Sequence, residues 1–262
     1  MVEALLDLPP AGVFAALALF YGAIAAFIVW LDFHSPLRKA IHRLQGVVGP
    51  FTASVSVLFA LLTGFLAADV GERNRQAVYA VTAEREAALT LHALSEAATT
   101  ETETVRAALR HYLAAAVSDE WPRMAENRES ARTDGALAGL VRAAADPAVL
   151  RATGPSVAGA MVEAVTRLAR ARSTRLSLSA DRTNDLKWLT VLALGVISQI
   201  SLALVHLERR PAQSAALALF SIAVVIALWL IALQENPFDG PIQVSPAPLQ
   251  KALSMIEAAP SQ

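Results

Sequence analysis

Val57, Leu61 and Phe65 recur at every fourth position of an uncharged stretch, so on a helix they stack along one face. The neighbouring face carries Ser56, Ala60, Gly64 and Ala68, a run of small residues at the same spacing. Small stripes let helices approach closely in lipid, and apolar constrictions gate ions by dewetting. In a ring of identical helices, the small faces would form a helix-packing seam and the bulky faces a central constriction. A plainer reading stays open, because any transmembrane helix shows apolar stripes.

Other groups with reactive side chains form no comparable pattern. The histidines His34, His42, His92, His111 and His206 show neither an HExxH sequence nor any metal-ligand spacing with acidic residues. His34 and His42 fall in a short loop, where an interfacial or surface role is expected. Glu84 and Glu86 stand two apart and point to different helix faces, so they read as a solvated surface. There is no G-x-S-x-G elbow, no glycine-rich phosphate loop and no cysteine, which excludes disulfides and thiolate chemistry. The formal net charge of -1 suggests no nucleic-acid surface. No enzyme activity, cofactor, metal or nucleic-acid partner is expected.

The elements that must carry these residues follow from hydropathy. The 262 residues are 55% hydrophobic with a mean hydropathy of +0.46, too apolar for an ordinary soluble domain. Uncharged tracts at residues 8–31, 44–68, 188–205 and 211–234 predict four transmembrane helices, over about 10–31, 51–69, 188–207 and 212–233. Pro50 marks a helix start or bend and Pro211 opens the fourth tract, and Trp30, Trp188 and Trp229 lie near tract ends, where amphipathic rings favour the interface. The first tract is a poor signal peptide, because Arg38, Lys39 and Arg43 follow it rather than precede it. The four tracts hold no acidic or basic residue, which argues against a proton relay or an ion-coupled carrier. Gln199, with Ser198 and Ser201, is the most polar spot in the third span. Helix–helix hydrogen bonding explains it at least as well as permeation.

Residues 70–187 hold 16 of the 22 basic and 15 of the 23 acidic residues, with both signs interleaved. Apolar residues recur there at helical spacing, as in Val105, Leu109, Tyr112, Leu113 and Val117, and in Val157, Met161, Val165 and Leu168. Breaks are expected near Trp121-Pro122, Asp134-Gly135, Asp146-Pro147 and Gly154-Pro155. The region reads as a helical extramembrane insertion between spans two and three. Its first helix continues from span two without a break, and its last runs into span three. With a tail over 234–262, the chain reads as one all-α membrane domain spanning 1–262.

Orientation is two-sided. Arg38, Lys39, Arg43, Arg209 and Arg210 in short loops would place those loops in the cytoplasm and residues 70–187 outside. Arg73, Arg75, Arg182 and Lys187 flank the other ends of spans two and three and point the opposite way.

Some of these residues resemble a known family. Val57-x3-Leu61-x2-Gly64-Phe65 followed by Glu72-Arg73 resembles the second transmembrane helix of bestrophins. Asn236-Pro237-Phe238-Asp239-Gly240 resembles the Pro-Phe-Gly segment after their fourth helix. With Glu120-Trp121-Pro122 and Val244-Ser245-Pro246, most of residues 10–255 resembles the bacterial bestrophin-like domain family, whereas the match to bestrophins themselves is confined to the two short motifs and the topology. The resemblance implies a homopentamer in a bacterial inner membrane, bounded by lipid, with one central path. Val57, Leu61 and Phe65 would be its neck rings. Bestrophins include anion-conducting and cation-conducting members, so the sign of the permeant ion is left open. They also hold the middle region in the cytosol, against the short-loop count. The animal calcium clasp needs an acidic run after Pro-Phe-Gly, and Pro241-Ile242-Gln243-Val244-Ser245 has none, so calcium activation is not expected.

Two functions fit: a passively conducting oligomeric ion channel with an apolar neck, or a non-conducting membrane-anchored helical scaffold or sensor.

Overall fold

Every regular element among the described residues of the computed structural model is helical. The structure describes residues 2–36, 38–41, 43, 49–96, 102–126, 128–181 and 183–258. His42, Arg182 and residues 44–48 at the start of the second apolar tract lie outside them. The helices are α1 (Val2–Leu6), α2 (Pro10–His34), α3 (Arg38–Ile41), α4 (Gly49–Glu96), α5 (Glu103–Ala115), α6 (Trp121–Met124), α7 (Ala131–Ala144), α8 (Pro147–Ala180), α9 (Asp185–Val205), α10 (Arg210–Ala232) and α11 (Ala247–Ala258). A π-helical turn, Ala116–Glu120, joins α5 to α6. Among the described residues, four helical segments are long and apolar enough to cross a membrane, and they correspond to the four expected spans.

The chain divides into two compact units, Met1–Glu72 with Thr183–Glu235, and Arg73–Arg182 with Asn236–Gln262. Helix α4 runs 48 residues without interruption and contributes to both, as its proline-free sequence after Pro50 predicts.

In the first unit, α2 and α10 run antiparallel. Gln213 near the start of α10 donates to Asp32 near the end of α2 at 2.5 Å, while Trp229 at the far end of α10 donates to the Pro10 carbonyl at 2.9 Å. Helix α9 closes against both through the side chain of Gln199, which donates to the Tyr21 carbonyl at 3.1 Å and to Ser221 Oγ at 2.8 Å. This is the helix–helix role expected for a polar residue in lipid. Gly195 permits the approach of α2, since a Cβ there would lie 2.3 Å from the Tyr21 hydroxyl oxygen. Asp32 corrects the expectation of charge-free spans. Helix α2 continues to His34, which brings this carboxylate into its last turn, and there it is buried against Gln213.

The second unit packs residues 73–96 of α4 with α5, α6, α7, α8 and α11 around one apolar core containing Leu91, Leu109, Leu113, Leu140 and Leu168. Its breaks have local causes. Asp146 caps α8 by accepting from the Ala148 amide at 2.7 Å, with Pro147 in the first helical position, where its missing N–H costs nothing. Gly154, with φ at 79°, kinks α8 just before Pro155. The break expected at Asp134-Gly135 is displaced. Ser130 caps α7 by accepting from the Thr133 amide, and Asp134-Gly135 continues inside that helix. The expectation that the last middle helix runs into the third span is also corrected. Helix α8 ends at Ala180, and α9 starts afresh at Asp185, where the Asn184 side chain accepts from the Leu186 amide at 2.8 Å.

Candidate functional site

Within the first unit, α4 is anchored to its own bundle by one narrow stripe, Phe59, Leu66 and Val70, spaced seven and four apart. The apolar window of α4 is 11% buried, against 28% in α2 and 33% in α10. Both faces singled out in the sequence lie away from the anchoring stripe. Val57 is 64% exposed, Leu61 50% and Phe65 60%. Ala60, Gly64 and Ala68 are exposed and Ser56 is half-buried. Gly64 has open space where a Cβ would stand, so nothing within the protomer requires a glycine there. At the end of this apolar stretch Lys187 of α9 pairs with Asp69 at 2.8 Å, both partly in solvent.

In the second unit the structure assembles a cluster that spacing alone misread. Glu84 is fully buried, not part of a solvated face; Glu86 is exposed. Arg175 of α8 donates from Nε to Glu84 Oε2 at 2.7 Å, and from Nη2 to Glu84 Oε1 at 3.1 Å and Glu120 Oε2 at 2.7 Å. Arg172, one turn earlier, holds both oxygens of Glu120 and reaches Asp134 at 2.6 Å. Tyr112 donates to Glu84 at 2.5 Å, and the Arg175 guanidinium lies 5.3 Å from the Trp121 ring centroid. Two buried cations thus match two buried carboxylates, with Asp134 at the wet edge, which is the condition under which buried charge is tolerated. Burial, and next the neighbouring Glu84 charge, push the Tyr112 hydroxyl well above its ordinary range. All four buried charges are engaged, so the arrangement ties α4, α8 and the π-helical turn together.

A signal for this cluster was present. On α8 the buried stripe Met161, Val165 and Leu168 continues as Arg172 and Arg175, and on α4 the stripe Ala77, Val81, Ala88 and Leu91 passes through Glu84. A charge at an apolar-periodic position marks a buried ion pair, because burial follows the helix face rather than the residue type.

The segment after the fourth span is a packed element. Phe238 is buried, with its ring edge-on to Trp121 at 5.7 Å, so two sequence motifs meet in one core. The Asn236 side chain accepts from the Phe238 amide at 3.0 Å, and the Val244 amide donates to the Pro237 carbonyl at 2.7 Å. Gly240 turns the chain with φ at 90°. In the first unit, Glu235 is buried and accepts from the Thr183 amide at 2.7 Å and from Trp188 Nε1 at 3.3 Å. Among the described residues, no three His, Asp or Glu side chains converge on a point that would hold a metal ion.

A family model described as Bestrophin-like domain matches residues 19–249. No curated protein matches the chain. Among solved structures, the chain is similar to a crystal structure of a membrane protein at 14% identity and a TM-score of 0.67, with 93% of this chain and 96% of that one covered. It is similar to a substituted bacterial bestrophin homologue from Klebsiella pneumoniae at 14% identity, TM-score 0.66, covering 93% and 96%. A further structure of that homologue gives 14% identity, TM-score 0.65, and coverage of 93% and 95%. At these identities the likeness is one of fold.

Proposed function

The chain belongs to the Bestrophin-like domain family, and on that premise we propose that it is a self-assembling, passively conducting ion channel in a bacterial inner membrane. Its neck is built from copies of α4, with Val57, Leu61 and Phe65 facing the axis and Ser56, Ala60, Gly64 and Ala68 at the seam between subunits. The assembly is a homopentamer, and it works without cofactor or metal.

The observation that carries this reading is the exposure of both α4 stripes in the protomer. The helix is the least buried of the apolar helices by its window, and a small-residue face with room beside it suits a second helix. Three apolar rings supply no fixed charge, so such a neck would gate by wetting rather than select by charge. Asp69 and Lys187, paired beyond the apolar stretch, are the nearest ionised groups to Phe65 on these helices.

The test is made on purified protein. Mass measurement in mild detergent should return a closed oligomer, and planar-bilayer recordings should show currents that grow for Leu61→Ala and Phe65→Ala. Currents unchanged in both variants would remove these residues from the path. A monomer without conductance would instead favour a membrane-anchored scaffold or sensor, for which the unbroken 48-residue α4 is the supporting feature.

A further inference from the structure

A groove of about 750 Å3 runs along the α2–α10 pair. Its lining includes Ala18, Gly22, Ala25, Ala26 and Ala218, small side chains that keep it open, with Phe14, Trp30, Ile222 and Ile226 beside them. From Arg210 to Ile226 the α10 side extends about 24 Å at 1.5 Å per residue, more than the roughly 15 Å depth of one leaflet's hydrocarbon. One end differs in chemistry. There His34 and Arg210 line the groove, no acidic residue lines it anywhere, and Trp30 stands one turn before His34. The side chains of His34 and Arg210 have no hydrogen-bond or ion-pair partner among the described residues. Arg210 also opens α10, whose free N-terminal amides add positive potential at the same end.

We propose that this groove holds an acyl chain of an anionic glycerophospholipid, with the phosphate seated at Arg210 and His34. The occupant follows from the combination of features. A second helix, about 10–12 Å across with its side chains, would leave the basic end without an anion. A lipid instead matches the apolar channel with its chain and the basic end with its headgroup, while Trp30 lies at headgroup depth. The assignment needs only that α2 and α10 cross the membrane, so it stands whether or not the oligomer conducts.

The experiment is native mass spectrometry of the full-length protein, delipidated and then titrated with phosphatidylglycerol or phosphatidylcholine. Saturable phosphatidylglycerol adducts are expected, with phosphatidylcholine weaker by about fivefold, the effect of one basic residue on an anionic headgroup. Arg210→Gln should weaken phosphatidylglycerol by a similar factor. Gly22→Leu, at a position with open space for a side chain, should abolish adducts at unchanged oligomer mass and helical content. Ala218→Leu fills the groove from the opposite helix and should do the same. Three results overturn the proposal: adducts indifferent to headgroup and to Arg210, displacement of the lipid by millimolar inorganic phosphate, or disassembly of the oligomer by both groove-filling variants. The last would make the groove a subunit contact.

Discussion

Arg175 and Glu84 meet fully buried and 91 residues apart in sequence, with two hydrogen bonds of 2.7 and 3.1 Å between guanidinium and carboxylate. Arg175→Met leaves Glu84 with the Tyr112 hydroxyl as its one partner among the described residues. Removing one partner of a buried pair costs about 3–5 kcal/mol, so a large fall in unfolding free energy by denaturant titration in micelles is expected. Glu84→Gln combined with Arg175→Met should recover much of it, because no uncompensated charge remains. Glu86→Gln, on the exposed face, should stay within about 0.5 kcal/mol. Equal effects at 84 and 86 would show the pair to be screened by solvent.

Tyr112 makes the second unit sensitive to alkali. Burial, with the Glu84 charge beside it, raises its hydroxyl in the folded state, whereas an unfolded tyrosine ionises near pH ~10. A raised folded value means that the stabilisation is fully present below the unfolded value and is lost as pH rises above it. Above that point Tyr112 should contribute a decline of about 1.4 kcal/mol per pH unit. Tyr112→Phe should remove that part of the slope while lowering stability at neutral pH through the lost hydroxyl. The same alkaline slope in both proteins would exclude Tyr112 as its source.

Two glycines on apolar helices make opposite predictions. Gly195→Ala places a Cβ 2.3 Å from the Tyr21 hydroxyl oxygen, and overpacking of this kind costs about 1–3 kcal/mol. Its melting temperature should fall, and Tyr21→Leu in the same chain should restore part of it. Gly64 has no neighbour in the protomer, and replacing glycine inside a helix by alanine gains about 1 kcal/mol. Gly64→Leu should therefore leave helical content intact and act on assembly, shifting the oligomer toward smaller species in size-exclusion chromatography with light scattering. An intact oligomer in Gly64→Leu would sink the seam.

Phe238 fills the core beneath the post-span turn. Phe238→Ala should destabilise by about 3–5 kcal/mol, the usual cost of a deleted buried aromatic ring. Trp121 fluorescence should change with it, since the two rings touch at 5.7 Å. An unaltered Trp121 signal would mean that the contact is not formed in solution.

The sequence by itself determined the features set by nearest neighbours along the chain. Four uncharged tracts had to become helices, because hydrocarbon leaves backbone groups no other partner. Helix α4 had to run on, since nothing after Pro50 interrupts it. Asp146-Pro147 and Gly154-Pro155 had to mark a start and a kink. The two stripes on α4 were equally legible, because helical period alone decides which residues share a face.

Tertiary structure decided what depends on partners far along the chain. The apolar stripe of α4 passes through Glu84 and misses Glu86, but only the arrival of Arg175 from α8 supplies the partner that lets that carboxylate be buried. Asp32 lies in the last turn of α2, yet its burial depends on Gln213 of α10. Ser130, not Gly135, starts α7, because a cap must have a free amide to accept from. Phe238 and Trp121 stand in two separate sequence motifs and become one core only in the folded unit. Local chemistry chooses the helix, and long-range packing chooses which of its faces meets water, lipid or another charge.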